Sequence, residues 1–271
     1  MKFSIITINY NNCEGLRRTL ESVVSQTFRD FEYIVIDGGS TDGSKELIEQ
    51  YADRIDYWVS EPDKGIYNAM NKGIAVAKGV YCNFMNSGDS FVDSSVLDKL
   101  VKERLVSDII VGRSRGVKVT GDRIDFVYVS NPPQNITAKY LFDHSLNHQA
   151  CFIRTCLLKK NNYREDLKIV SDWAFFFDEL ILRDATYQCL DCIVCNYDTE
   201  GVSSNVDLEE ERKLYFYTAF SKRMADFFYD RDELHEILYR WTPQCRHYKF
   251  ITWMCLMINR LWKVKKNCRL G

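Results

Sequence analysis

Two short runs near the start of the chain, FSIITI (3–8) and FEYIVID (31–37), are apolar and β-branched almost throughout. Strands covered on both faces read this way, because neither side of the sheet meets water. Between them Leu16, Leu20, Val23 and Val24 recur at helical spacing. This is a βαβ unit, whose right-handed crossover makes the sheet parallel. The pattern then repeats. Asp42 stands where a helix N-cap is expected, KELIEQYA (45–52) follows, then IDYWVSE (55–61), then a helix from about Ile66 to Lys78 closed by Gly79. Strand YCNFM (81–85) comes next. Alternation of this kind over the first third of the chain predicts a doubly wound α/β fold, a mostly parallel central sheet flanked by helices.

Past residue 107 the pattern loosens. Residues 108–129 predict one or two strands with turns, Asn131-Pro132-Pro133 a break, and 136–143 a short helix. DWAFFFDELILR (172–183) reads as a buried helix and YQCLDCIVCNY (187–197) as a strand. After Asp207 the character changes to long helical stretches. The expected division is a domain over 1–205 and a helical, basic and aromatic C-terminal extension over 206–271.

Composition narrows the function classes. A formal net charge of −2 speaks against a nucleic-acid binder. The opening MKFSIITINYNN lacks a long apolar stretch and reads as strand, not signal peptide. No run reaches the roughly 18 apolar residues of a membrane span. Ten cysteines without a secretion signal predict reduced thiols in the cytoplasm, which leaves the sequon Asn135-Ile136-Thr137 without consequence. On a strand, Cys189 and Cys195 point to one face and Cys192 to the other, so this CxxCxxC is not expected to gather a metal.

Open parallel sheets bind ligands beyond the carboxyl ends of their strands. The residues there are Asn9, Tyr10 and Asn11 after the first strand, Asp37 after the second, Glu61 and Asp63 after the third, and Asn86 to Asp89 after the fourth. Each alone suits an ordinary turn or cap; together they make every end polar. GGSTDGS (38–44) has the glycine spacing of a phosphate loop, but Ser44 stands where the lysine must follow. No GxGxxG follows the first strand either, which removes the dinucleotide-oxidoreductase reading.

SIITINYNN, VIDGGSTDGS, EPDKGIYNAMNKGI, FMNSGD and VSDWAFF, in this order and spacing, resemble the family 2 glycosyltransferases with the GT-A fold, especially bacterial enzymes that build surface polysaccharides. The resemblance covers about residues 1–205. It implies an inverting transfer from a nucleotide-sugar donor, often UDP-linked, to a glycan or lipid-linked acceptor. Thr7 and Asn9 would line the nucleoside pocket, and Asp37 would accept a hydrogen bond from a ring N–H of the base. Asn68 and Asn71 would face the donor. Relatives often have an acid at 68 and arginine at 70, where this chain has Asn68 and Met70. A DxD-type cluster is common at the fourth strand end; here Asn86 and Gly88 take two of its acidic positions and Asp89 the last. Asp89 would anchor a divalent Mg or Mn ion, with Asn86 helping through its amide oxygen. A plain turn is the alternative at this stretch.

By the same resemblance Asp172 would be the catalytic base, although its place at a helix start also suits a cap. His148, with Gln149, would line the acceptor or diphosphate site, with a buried structural histidine as the alternative. GVSS (201–204) resembles a loop that closes over the donor. A nucleotide-sugar-binding protein without turnover is the competing function, motivated by the depleted acid cluster. After Glu236 no acid occurs, while eight Lys and Arg residues alternate with Trp241, Phe250, Trp253 and Trp262. This suits peripheral contact with the inner face of an anionic membrane; packing on the protein's own domain or across a homodimer is the alternative.

Overall fold

The computed structural model describes residues 1–121, 123–199, 201 and 208–220. Strands β1 (Phe3–Asn9) and β2 (Phe31–Asp37) form at the two apolar runs and are buried almost end to end. They pair in parallel from Phe3↔Phe31 to Asn9↔Asp37, which brings the polar residues Asn9 and Asp37 out side by side. Between them α1 (Cys13–Val24) buries Leu16, Leu20 and Val23 in the core with Phe3, Ile5 and Tyr33. Next come α2 (Ser44–Gln50), β3 (Tyr57–Ser60), α3 (Ile66–Val76) and β4 (Tyr81–Phe84). The order β3-β2-β1-β4 is parallel throughout.

Then the sheet changes character. The chain continues through β5 (Ser90–Phe91), α4 (Val96–Lys102), β6 (Ile109–Thr120), β7 (Arg123–Ser130), α5 (Ala138–Asp143), β8 (Cys151–Arg154), α6 (Thr155–Lys160), α7 (Ser171–Phe177), β9 (Tyr187–Asp198) and α8 (Glu209–Ala219). β8 lies antiparallel between β4 and β6, β9 runs parallel to β6, β5 edges β9, and β7 completes a hairpin with β6. The expected parallel sheet thus occupies one half, and mixed pairing occupies the half where the sequence pattern loosened.

Local details explain small departures. Asp42 sits one residue before the helix cap, which is Gly43, but its carboxylate accepts from Ser44 N at 3.1 Å and from Cys13 N at 2.8 Å. It therefore ties the starts of α1 and α2 together. Gly79 does not close α3, which ends at Val76. It crosses β1 so closely that a Cβ would stand 2.5 Å from Phe3 C and Ser4 N, so only glycine fits. The helix read over 172–183 is α7 continued by a π-helical turn, Asp178–Leu182. The register of β9 with β6 slips twice between Val111 and Ser114, so strict alternation fails across the cysteine segment. Cys195 is buried there, and Cys189 and Cys192 are partly exposed.

Residues Met1–Arg212 form one compact unit and a second begins at Lys213. The basic and aromatic stretch after Glu236 and most of the GVSS loop lie outside the described residues. Among the described residues no helix is long and apolar enough to cross a membrane.

Candidate active site

The carboxyl ends of β1 to β4 open onto one cleft of about 1060 Å³. Asn9 and Tyr10, Gly38 and Gly39, Pro62 and Asp63, and Asn86 to Asp89 each reach it from their own strand end. Its far wall comes from the other half of the sheet, with His148, Gln149, Asp172 and Trp173.

The fourth strand end is a tight turn. Ser87 N donates to Ile8 O at 3.0 Å and Asp89 N to Asn86 O at 2.9 Å. Thr19 of α1 threads the turn: its hydroxyl donates to Asp89 O at 2.7 Å and accepts from Gly88 N at 3.1 Å. Gly88 has φ +105°, a conformation that L side chains rarely adopt, so an acid there would be strained. The Asp89 residue is only 7% exposed, and burial pushes its carboxyl up to about 6; the charge of His148, the Gln149 side chain and the Asp198 backbone pull the other way without cancelling it. The Asn86 side-chain nitrogen lies 3.0 Å from His148 Nε2, while its oxygen Oδ1 is buried without a partner.

His148 opens a short 3-10 turn before β8 and sits between this turn and α7. Its Nδ1 is 3.0 Å from Asp172 Oδ2. The other carboxylate oxygen of Asp172 accepts from Trp173 N at 2.8 Å and lies 3.0 Å from the Tyr67 hydroxyl, which also reaches Ile169 O at 2.6 Å. Burial would raise the Asp172 carboxyl, but the hydrogen bond and charge of His148, with the Trp173 N–H and Tyr67, hold it below the usual carboxylate range. Burial likewise lowers the imidazole, and Asp172 and Asp89 together outweigh it and raise His148 above its ordinary value. The result is a buried, ionised carboxylate facing a cleft, an arrangement suited to accepting a proton. Just before α7, the backbone N–H groups of Lys168, Ile169 and Val170 all donate to the Glu211 carboxylate, at 2.8, 2.8 and 3.2 Å. Arg212 packs over Trp173 with its guanidinium carbon 4.9 Å from the ring centre.

Asn9, Asn86, Asp89, His148 and Asp172 therefore meet in one cleft, and four other expected residues do not line it. Thr7 is fully buried beneath the cleft, donating to Met85 O at 2.7 Å. Asp37 is fully buried, its carboxylate taken up by neighbouring loop groups instead of facing a ligand. Asn68 and Asn71 face away: Asn68 donates to Glu165 at 3.0 Å, and Asn71 donates to Glu165 and Tyr163 O at 3.0 and 2.9 Å. The cleft instead receives Tyr67 and Met70, three residues apart on the neighbouring face of α3. Tyr67 was detectable, since a tyrosine within the apolar stripe Tyr67, Met70, Ile74 needs a partner for its hydroxyl. Glu211 gave no such signal, lying in a plain acidic run.

The family model described as Glycosyl transferase family 2 matches residues 4–157. An uncharacterized glycosyltransferase of Mycobacterium tuberculosis is 33% identical over 209 residues, covering 74% of this chain and 77% of the relative. A PGL/p-HBAD biosynthesis glycosyltransferase of the same species is 27% identical over 220 residues, covering 77% and 81%. Among solved structures, S. aureus TarS 1–349 in complex with UDP-GlcNAc superposes with a TM-score of 0.64 at 21% identity, over 92% of this chain and 75% of that one. The mannosyltransferase PcManGT from Pyrobaculum calidifontis, in complex with GDP-Man and Mn²⁺, gives 0.59 at 15%, over 97% and 83%. The chain spans 64% of the TarS 1–349 chain in a further structure and 45% of the longer TarS chain. At these identities the structural likeness speaks for the GT-A fold.

Proposed function

The chain belongs to glycosyl transferase family 2, and from that premise we propose that it moves a sugar from a UDP-type nucleotide donor to a hydroxyl of a glycan or lipid-linked acceptor, with inversion at the anomeric carbon. The observation that carries this reading is the meeting of Asp172 with Asp89 and Asn86 in the cleft that receives the strand ends of β1 to β3. In the reaction the acceptor oxygen attacks the anomeric carbon from the face opposite the diphosphate. Asp172 takes the hydroxyl proton, and the bond from that carbon to the diphosphate oxygen breaks. With one base and no covalent nucleophile the configuration inverts.

A divalent cation fits the residues present. Asp89 is a buried carboxylate that burial alone leaves poorly stabilised, and Asn86 Oδ1 is a buried oxygen with no partner on the same turn. Hard cations take such oxygens, and when bound the ion would neutralise charge on the departing diphosphate. Among the described residues no group of three or more His, Cys, Asp or Glu side chains is placed to hold a metal, so donor phosphates and water would complete the shell. The Mn²⁺ complex of PcManGT supports the ion, and the UDP-GlcNAc complex of TarS supports the nucleotide. The relative named for PGL/p-HBAD biosynthesis supports a synthetic transfer. The basic, aromatic stretch after Glu236 supports an acceptor carried at the cytoplasmic face of an anionic membrane.

Turnover of a panel of nucleotide sugars with Mn²⁺ tests this. We expect cation-dependent turnover that Asp89→Ala loses, and an Asp172→Asn protein that binds donor normally but transfers about 10²-fold more slowly or worse. Near-normal transfer by Asp172→Asn would remove it as the base. No turnover with any donor would leave a nucleotide-sugar-binding protein.

A further inference from the structure

The side-chain amide of Asn86 has two orientations, and its neighbours choose between them. The ionised Asp172 accepts hydrogen bonds and cannot donate, so His148 presents Nδ1–H to Oδ2 across 3.0 Å. In the neutral ring Nε2 is then an acceptor, and the group 3.0 Å from it is the Asn86 amide. An acceptor selects the NH₂ end. Oδ1 is left on the opposite side of the amide, buried and unpartnered. The N–H groups of the turn offer it no donor, because Ser87 N donates to Ile8 O, Gly88 N to Thr19 Oγ1 and Asp89 N to Asn86 O. Asp89 lies on that same short turn, so two oxygen donors of one kind of chemistry share it.

We propose that His148 is a positioning residue for two groups at once: through Nδ1 it aims the base Asp172, and through Nε2 it holds Asn86 with the amide oxygen presented as a cation ligand beside Asp89. Hard divalent cations bind amide oxygens and not amide nitrogens, so the reverse tautomer would offer the ion the wrong atom. The base thereby dictates, through one imidazole, what the cofactor site presents. Both halves rest on the proposed function, in which Asp89 holds the cation and Asp172 is the base; the tautomer rests on the hydrogen bonds alone.

The ring itself gives the first test. Nitrogen-15 NMR of the intact wild-type protein at pH 8 should show one of its four histidines with Nδ1 protonated and Nε2 bare, assigned by its loss in His148→Asn. The opposite tautomer, or a ring protonated on both nitrogens, overturns the proposal. Two variants then separate the halves. Asparagine at 148 places an amide N–H near the position of Nδ1 and keeps Asp172, while glutamine places its amide near Nε2 and keeps Asn86. Calorimetric Mn²⁺ affinity in the presence of UDP should fall about 10- to 100-fold in His148→Asn and change little in His148→Gln. Release of UDP from the donor that wild type turns over, at saturating Mn²⁺, should fall in both variants, with kcat about 10- to 100-fold lower in His148→Gln than in His148→Asn. Equal losses in both variants, or none, would mean His148 merely fills space. If wild type binds no Mn²⁺ with UDP, the cation reading of Asp89 and the Asn86 half both fall, and the tautomer still decides the Asp172 half.

Discussion

At Asp37 five donors converge on one carboxylate: Asn9 Nδ2 and Ser40 Oγ on Oδ1, and Gly39 N, Ser40 N and Ser60 Oγ on Oδ2. They come from the ends of three neighbouring strands, so this residue staples the floor of the cleft. Burial would raise the carboxyl, yet the hydrogen bonds from Ser40, Ser60 and Asn9 prevail and lower it. A group lowered in the folded state contributes stability that is present above its unfolded value and lost as pH falls through the folded one. Asp37→Asn should therefore cost about 1–3 kcal/mol at neutral pH. In thermal melts the gap from wild type should narrow as pH drops below about 4, where the unfolded carboxyl protonates. A gap that stays constant with pH would mean the carboxylate charge contributes nothing.

Among the elements, α7 depends most on a distant anchor. Its preceding backbone offers three consecutive N–H groups, and Glu211 at the start of α8 accepts all of them. Removing that carboxylate leaves donors that the helix itself cannot satisfy. We expect Glu211→Ala to lose about 1–3 kcal/mol, to speed amide exchange at Lys168 to Val170, and to lower kcat with donor KM unchanged. Unchanged exchange at those amides would sink the idea. The elements that the sequence announced are those whose burial leaves a simple trace. β1 and β2 are buried on both faces and read as unbroken apolar runs, and α1 shows Leu16, Leu20 and Val23 in step. β9 was read as a strand over 187–197, but its register slips break the alternation assumed for Cys189, Cys192 and Cys195. Asn86, Asp89, His148 and Asp172, singled out by motifs, all line the cleft. Asn68 and Asn71 misled because a motif locates a helix but not its rotation; Tyr67, Met70 and Ile74 carried that information in their spacing. Glu211 acts through backbone amides, which leave no pattern in side-chain types.

For the molecule as a whole, the chain after Glu236 bears eight positive and no negative side chains. Binding of the full chain to vesicles with anionic lipid should follow about 1 kcal/mol per basic residue near the surface and weaken with salt. Equal binding to neutral vesicles in sedimentation would argue against an electrostatic contact. The two halves of the sheet also differ in how far apart their partners lie along the chain. All pairings among β1 to β4 close within residues 3–84, whereas β6 (Ile109–Thr120) waits for β9 (Tyr187–Asp198). Distant pairings cost more loop-closure entropy before their contacts reward it, and so form late. Pulsed exchange during refolding should protect β1, β2 and β4 before β6 and β9; simultaneous protection would refute this order. On the ribosome, the strand ends that carry Asn9, Gly38 and Asn86 would then be assembled before Asp172 has been synthesised.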